Sequence, residues 1–406
     1  MFEDEILRLK DELEETFRDL HRHPETGFSE RRTAALVAER LGAYGLEVTT
    51  GMALTGVVGL LDSGKPGKTL MLRADMDCLE VQELAEGDCR SQRDGLMHAC
   101  GHDAHVTMLL GAAKVLSRHR EAFEGRLKFV FQPAEEGTPR DMAQAVREAG
   151  YQGSGGAGFM VREGVLEGVD ACLVMHVQPS LPLGKVSISR RNACASSDAF
   201  RIDLLGRGGH GAQPQRAIDP VPAMAELIAA IHMLPTREVS AVETCVLSIG
   251  RAETPGSVWN AVAERAHLEG GIRTFDEGVR AHLNRRVREL AEHIAAGNRC
   301  TLSFERETGY MPCINDPALA EALAGVCAET LGAENALLTD TPAMTSEDCS
   351  EYLSRVPGVF YWLGVGDGAE SPPLHNPYFR LNPDALVLGA GVHVNGALSL
   401  LKFLAG

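Results

Sequence analysis

The 406-residue sequence predicts an α/β protein: a large domain built on a mixed, mostly parallel sheet flanked by helices, plus an inserted smaller α+β domain. Three observations predict it. Short runs are apolar almost throughout: TGVVGLL at 55–61, TLMLRAD at 69–75, RLKFVFQ at 126–132, DACLVMH at 170–176 and GVFYWLGVG at 358–366. Such runs suit strands buried on both faces. They alternate with stretches of helical period, as a sheet covered on two sides requires. From about residue 188 the pattern changes to period-two alternation with two long helical stretches, a unit with its own core. The expected division is 1–187 with 302–406 for the large domain and 188–301 for the insert.

Each element has a local reason. Ile6, Leu7, Leu13, Phe17 and Leu20 recur at helical spacing over 3–21, and HRHPETGFSE breaks the period at Pro24 and Gly27. A second helix is expected over about 30–44, and a third from near Asp103 to Leu116. YQGSGGAGF at 151–159 reads as a Gly-rich loop. In the insert, strands are expected in the run starting VSISRR at 186, in AVETCVLSIG and in RAHLEGGIRTF, with helices over about 220–233 and 277–296. A final helix covers about 383–404. There is no internal repeat and no low-complexity tract.

Composition narrows the function. Hydrophobic residues make up 44%, and 39 basic against 56 acidic residues give a net charge of −17. That balance argues against nucleic acid, which needs a basic face. The start, MFEDEILRLKDELEETFRDL, is charged and amphipathic, and no apolar stretch of about 18 residues is evident, so no export signal or membrane partner is expected. The ten cysteines form no CxxC pair, which points to reduced, mostly buried thiols in the cytoplasm and away from thiol-redox chemistry. GxSxG, HExxH and Walker motifs are absent. Arg190–Arg191 reads as a solvated strand edge.

Chemistry-bearing residues cluster in five places. HACGHDAH (98–105) puts Cys100 and His102 two apart before a helix, where thiolate and imidazole can face one ion; the plainer reading is a buried Cys beside helix-capping groups. FQPAEEG (131–137) ends an apolar strand with Glu135 and Glu136: a solvated turn, or one metal ligand beside one base. His176 ends DACLVMH, and His375 lies in SPPLHNP; a lone His is usually structural, but four separate segments repeat the pattern. His210, on the glycine turn GRGGHGAQP (206–214), is either a surface residue or a substrate contact.

Taken in order, LHRHPETGF near 20, RADMD (73–77), MHACGHDAH (97–105), FQPAEEG, MHV (175–177), GGHGAQP, SEDCS (346–350) and LHNP (374–377) resemble the metal-dependent amidohydrolase and peptidase family of aminoacylases, carboxypeptidase G, hippurate hydrolase and plant auxin–amino acid conjugate hydrolases. The sequence is most similar to the last two. The resemblance implies a catalytic α/β domain with an inserted lid that pairs two copies. It implies two divalent ions, Zn, Mn or Co, with Cys100 bridging, Glu136 and His375 on one ion and His102 and His176 on the other. Glu135 would be the general base; His210, Asn260 and Arg273 would contact an N-acyl amino acid or dipeptide-like substrate. The alternative is a metal-dependent small-molecule binder without catalysis, which would have no need of Glu135. This chain departs from the wider family where Arg73-Ala74-Asp75 replaces a His-x-Asp ligand motif. It departs also in a longer 137–159 stretch and in Asn260-Ala261-Val262-Ala263.

Overall fold

The computed structural model describes residues 2–151 and 155–406. The chain divides into two compact units, residues 1–193, 314–342 and 348–406 in one, and 194–313 with 343–347 in the other.

The larger unit holds an eight-stranded mixed sheet. Its strands in chain order are β1 (Glu47–Met52), β2 (Gly56–Asp62), β3 (Thr69–Asp75), β4 (Arg126–Gln132), β5 (Ala171–Pro182), β6 (Val186–Ser189), β7 (Ala336–Thr339) and β8 (Gly358–Gly366). Across the sheet the order is β1-β2-β4-β3-β5-β8-β6-β7. The four central strands β4, β3, β5 and β8 run parallel. β1–β2, β2–β4 and β8–β6 are antiparallel, and β6–β7 is parallel. All residues of β3 and β8 are buried, which explains why both read as apolar almost throughout. Helices Lys10–Arg22, His102–Arg118, Pro317–Leu331 and Asp384–Ala405 join these strands in one apolar core that includes Leu13, Leu72, Leu109, Leu173, Leu323 and Leu400.

The smaller unit is a four-stranded antiparallel sheet, in the order Cys245–Glu253, Arg265–Thr274, Asp198–Leu205, Thr301–Thr308. Alternate residues Phe200, Ile202 and Leu204 face helices Pro220–Arg237 and Glu277–Gly297 and form a separate core with Leu227, Ile231, Leu283 and Val287. Asp219 and Asp276 cap those helices by accepting from Val221 N–H and Val279 N–H. Strand Thr301–Thr308 straddles the division expected at 301/302; its full-length pairing with Asp198–Leu205 puts it in the smaller unit.

Some local expectations change. The first helical stretch is two helices, Glu3–Arg8 and Lys10–Arg22. Of the expected loop at 151–159, residues 152–154 lie outside the described residues, and Gly156–Arg162 is a helix. Asp384–Ala405 is long and apolar enough, by length and composition, to cross a membrane, which the residue count missed because small and polar residues interrupt its apolar run. Most of it is buried: a Cβ on Gly389 would stand 2.2 Å from Met108 Sδ, so it packs directly on helix His102–Arg118.

Candidate metal centre and active site

Glu135 and Glu136 follow the carboxyl end of a parallel strand, where open α/β sheets build sites, and Cys100, His102, His176 and His375 gather beside them. β3 ends at Asp75 and the chain continues to Asp77; β4 ends at Gln132, and the turn Pro133–Gly137 follows. His176 lies within β5, and His375 follows β8. Helix His102–Arg118 starts directly after Gly101, whose φ is +82°. A Cβ at Gly101 would come 2.4 Å from Val177 Cγ2, so glycine is what lets the Cys100 loop approach β5 beside His176. Ala134 and His375 hold left-handed φ values of +50° and +66°, a backbone cost that clusters at functional sites.

The donor atoms converge. Cys100 Sγ lies 3.5 Å from His176 Nε2 and 3.3 Å from His375 Nε2. His375 Nε2 is 3.2 Å from Glu136 Oε1. Donor atoms of Cys100, Glu136 and His375 all lie within 4.8 Å of one another, as do those of His102, Glu135 and Glu136, and those of Asp75, His102, His105 and His176. Glu135 is 5% exposed, and its Oε1 accepts from Asp348 N–H at 3.4 Å.

Hydrogen-bond partners set the proton positions. His176 Nδ1–H donates to Val177 O (2.8 Å), leaving the Nε2 lone pair toward Cys100. Burial, with His105 nearby, holds its pKa well below the usual value, so the imidazole is neutral and competent to bind a metal. His105 Nε2 accepts from Val177 N–H (2.9 Å), so Nδ1–H donates to Asp75 (2.6 Å). His102 Nδ1 lies 3.1 Å from Asp77 Oδ1, the carboxylate–imidazole arrangement that orients metal-binding histidines. Burial lowers the His102 pKa, but Asp75, Asp77 and Glu136 outweigh it and lift it to about 10. Burial raises the Glu136 carboxyl, and His375 and His102 bring it below the usual range.

Under the donors lies a buried guanidinium. Arg73 donates from Nε to Gln132 (2.8 Å), from Nη1 to Asp75 (2.5 Å) and from Nη2 to Asp348 (3.0 Å). Gln132 Nε2 donates to both Asp348 oxygens at 2.8 Å. Asp75, Asp77, His105, Arg73 and Asp348 were given no role by sequence, although Asp75 and Asp77 carry the same strand-end signal that singled out Glu135. The residues fit divalent ions: thiol, imidazole and carboxylate donors converge, carboxylates are in excess, and buried His102 Nε2 has no hydrogen-bond partner among the described residues.

In the smaller unit, Gly209–His210 forms a short antiparallel pair with Ala261–Val262 rather than a free glycine turn. Gly211 N–H donates to Asn260 O (3.0 Å), so His210 and Asn260 are neighbours, both exposed. Arg273 is on a different strand, half-buried, its Nη1 donating to Ser346 Oγ (2.8 Å). Arg190 pairs with Glu321 and Asp340.

Sulfur, imidazole and carboxylate donors gathered at the ends of parallel strands, with a second glutamate beside them, define the class: a metal-dependent hydrolase. Residues 71–398 match the Peptidase family M20/M25/M40, and the chain belongs to that family. It is 37% identical to IAA-amino acid hydrolase ILR1-like 4 of Arabidopsis thaliana over 390 residues, covering 95% of this chain and 84% of that one. It is 33% identical to hippurate hydrolase of Campylobacter jejuni over 400 residues, covering 98% and 99%. Among solved structures it is similar to the Bacillus subtilis YXEP protein, described as a dinuclear metal binding peptidase from M20 family, with a TM-score of 0.79, 30% identity and coverage of 97% and 99%.

Proposed function

We propose that this protein hydrolyses the amide bond of N-acyl amino acids or related small amide and peptide conjugates, using two divalent metal ions. One observation carries the proposal: Cys100 Sγ sits within 3.5 Å of Nε2 of both His176 and His375, with Glu136, His102 and Glu135 crowded alongside. In this reading Cys100, Glu136 and His375 would hold one ion, and Cys100, His102 and His176 the other. The donor set suits Zn, Mn or Co. When bound, such ions polarise a carbonyl and acidify water.

The chain's own groups do the rest. Glu135 takes a proton from the attacking water and passes it to the leaving nitrogen, a role for a carboxylate beside the ligands but not one of them. His210 donates to the developing oxyanion and Asn260 orients the substrate. Arg273 pairs with a substrate carboxylate, to which a planar fork is matched. The substrate class is supported by the names of the similar proteins, an amino acid conjugate hydrolase and a hippurate hydrolase. We further assign the protein to the cytoplasm, acting without nucleic acid or membrane partners, as a homodimer joined through the smaller unit. The acidic balance supports the exclusion of nucleic acid.

The test is a panel of N-acetyl, N-benzoyl and indole-acyl amino acids and dipeptides, offered to the enzyme loaded with each metal in turn. Turnover of at least one class is expected. Failure on every member, with both ions bound, would leave only a binding protein.

A further inference from the structure

The LHRHPETGF stretch has no part in the chemistry above, yet it grips the donor cluster from outside. His21 is 7% exposed. Its Nδ1 lies 2.6 Å from Asp103 Oδ2 and its Nε2 3.5 Å from Glu83 Oε1. The other Asp103 oxygen accepts from Ala104 N–H (2.9 Å), and the Asp103 carbonyl accepts from Thr107 Oγ1 (2.7 Å). His21 is thereby bonded to the first turn of the helix that begins at His102. Glu83 lies in the loop joining Asp77 to His98, where it accepts from Ser91 N–H (2.7 Å). The backbone adds two ties to that loop: Cys78 N–H to Glu25 O and Gln92 N–H to Arg22 O, both 2.9 Å.

The far end of the stretch holds the glutamate turn. A Cβ on Gly27 would stand 2.8 Å from both Ala134 Cβ and Gly137 O, so the two turns are in direct contact. Just beyond it, buried Glu30 accepts from Ala134 N–H (2.8 Å). One continuous segment therefore braces the loop that presents Cys100 and His102 and the turn that presents Glu135 and Glu136.

We propose that His21 is a positioning residue for metal binding: through Asp103 and Glu83 it fixes the Cys100–His102 loop without touching a donor. The inference rests on Cys100 and His102 being ligands. Outer partners of this kind set how much a site must reorganise to take up its ion, and losing one costs roughly 10–100-fold in metal affinity. A cavity of about 170 Å³ opens beside His21, lined by Arg18, Glu83, Asp103 and Arg380 together with Phe17 and Phe379. Water can therefore fill the space left by a shorter side chain, which separates loss of the brace from a hole in the core.

The full-length protein is loaded with zinc or manganese alone, and transfer of the ion to a chromogenic chelator is followed. The thermal midpoint of the metal-stripped protein is measured in parallel. His21→Ala should weaken metal binding about 10–100-fold and, because it leaves the buried Asp103 carboxylate without its imidazole partner, also lower the stripped midpoint. His21→Gln, whose amide can still donate to Asp103, should recover most of the affinity. Wild-type affinity in His21→Ala, whatever its midpoint, overturns the brace, provided Cys100→Ala loses metal. If Cys100→Ala keeps both ions, the ligand assignment itself is wrong. Should His21→Ala not fold, His21→Gln and Glu83→Gln must show graded loss of affinity, and unchanged affinity in both overturns the proposal.

Discussion

Glu135 and Glu136 are adjacent and chemically identical, and only their surroundings separate them. Glu136 N–H donates to Asp77 (3.0 Å), which turns its carboxylate to His375 and Cys100. Glu135 faces Asp348 N–H instead. Ala134, just before the pair, is left-handed, and Glu30 accepts from its N–H (2.8 Å). Glu135→Gln should keep both metals, measured by native mass spectrometry, and lose at least about 10²-fold in kcat. A kcat within tenfold of wild type would remove Glu135 from proton transfer. Glu136→Gln should lose metal first and activity with it, so the two isosteric changes separate by metal content alone. At this scale sequence showed donor types but not their layering. Cys100, His102, Glu136, His176 and His375 stood out because four separate segments put a Cys, His or Glu beyond an apolar strand or at a helix start. Arg73, buried among Asp75, Gln132 and Asp348, did not, because its acceptors lie up to 275 positions away.

At the scale of elements, the strands that read as apolar almost throughout were legible because both faces are covered. β1 was not, since its residues are mostly exposed and it alternates weakly. Nor was the break at Leu9, because the two N-terminal helices keep one apolar face across it. The helix start at His102 depends on one residue. Gly101→Ala would combine an unfavourable φ of +82° with a Cβ 2.4 Å from Val177, so it should lower the thermal midpoint and metal content together. A midpoint equal to wild type would mean that the loop has room to move.

The smaller unit has its own electrostatic keystone. Asp198, 3% exposed, accepts from Arg280 Nε (2.6 Å) and Nη2 (3.0 Å), Asn284 Nδ2 (3.0 Å) and Arg306 Nη2 (3.2 Å). Burial raises its pKa, but Arg280 and Asn284 bring it below the ordinary carboxylate value. A carboxylate whose folded pKa is depressed contributes fully above its unfolded pKa, about 3.9. The contribution is lost as pH falls through the lower folded value. Asp198→Ala should cost about 1–3 kcal/mol near neutral pH, because buried Arg280 loses its main partner and keeps only the exposed Glu277 and Gly309 O. Its penalty should shrink in acid unfolding below about pH 4. A penalty independent of pH would show that packing, not charge, is what the variant removes.

For the whole molecule, two separate cores imply two separable stabilities. All the proposed metal donors belong to the larger unit, whereas residues 194–313 of the smaller unit form one continuous run that closes its own sheet and core. A ligand stabilises only the fold that binds it, by about 4 kcal/mol when present at 1,000 times its Kd. At 2–4 °C per kcal/mol for a domain of this size, removing the ions should lower one calorimetric transition by about 10 °C. The other should stay in place. Asp198→Ala should do the reverse, lowering the transition that chelation leaves alone. If both perturbations move a single shared transition, the units unfold as one cooperative body. Metal occupancy would then set the stability of the inserted sheet as well, and each core's independence would be lost.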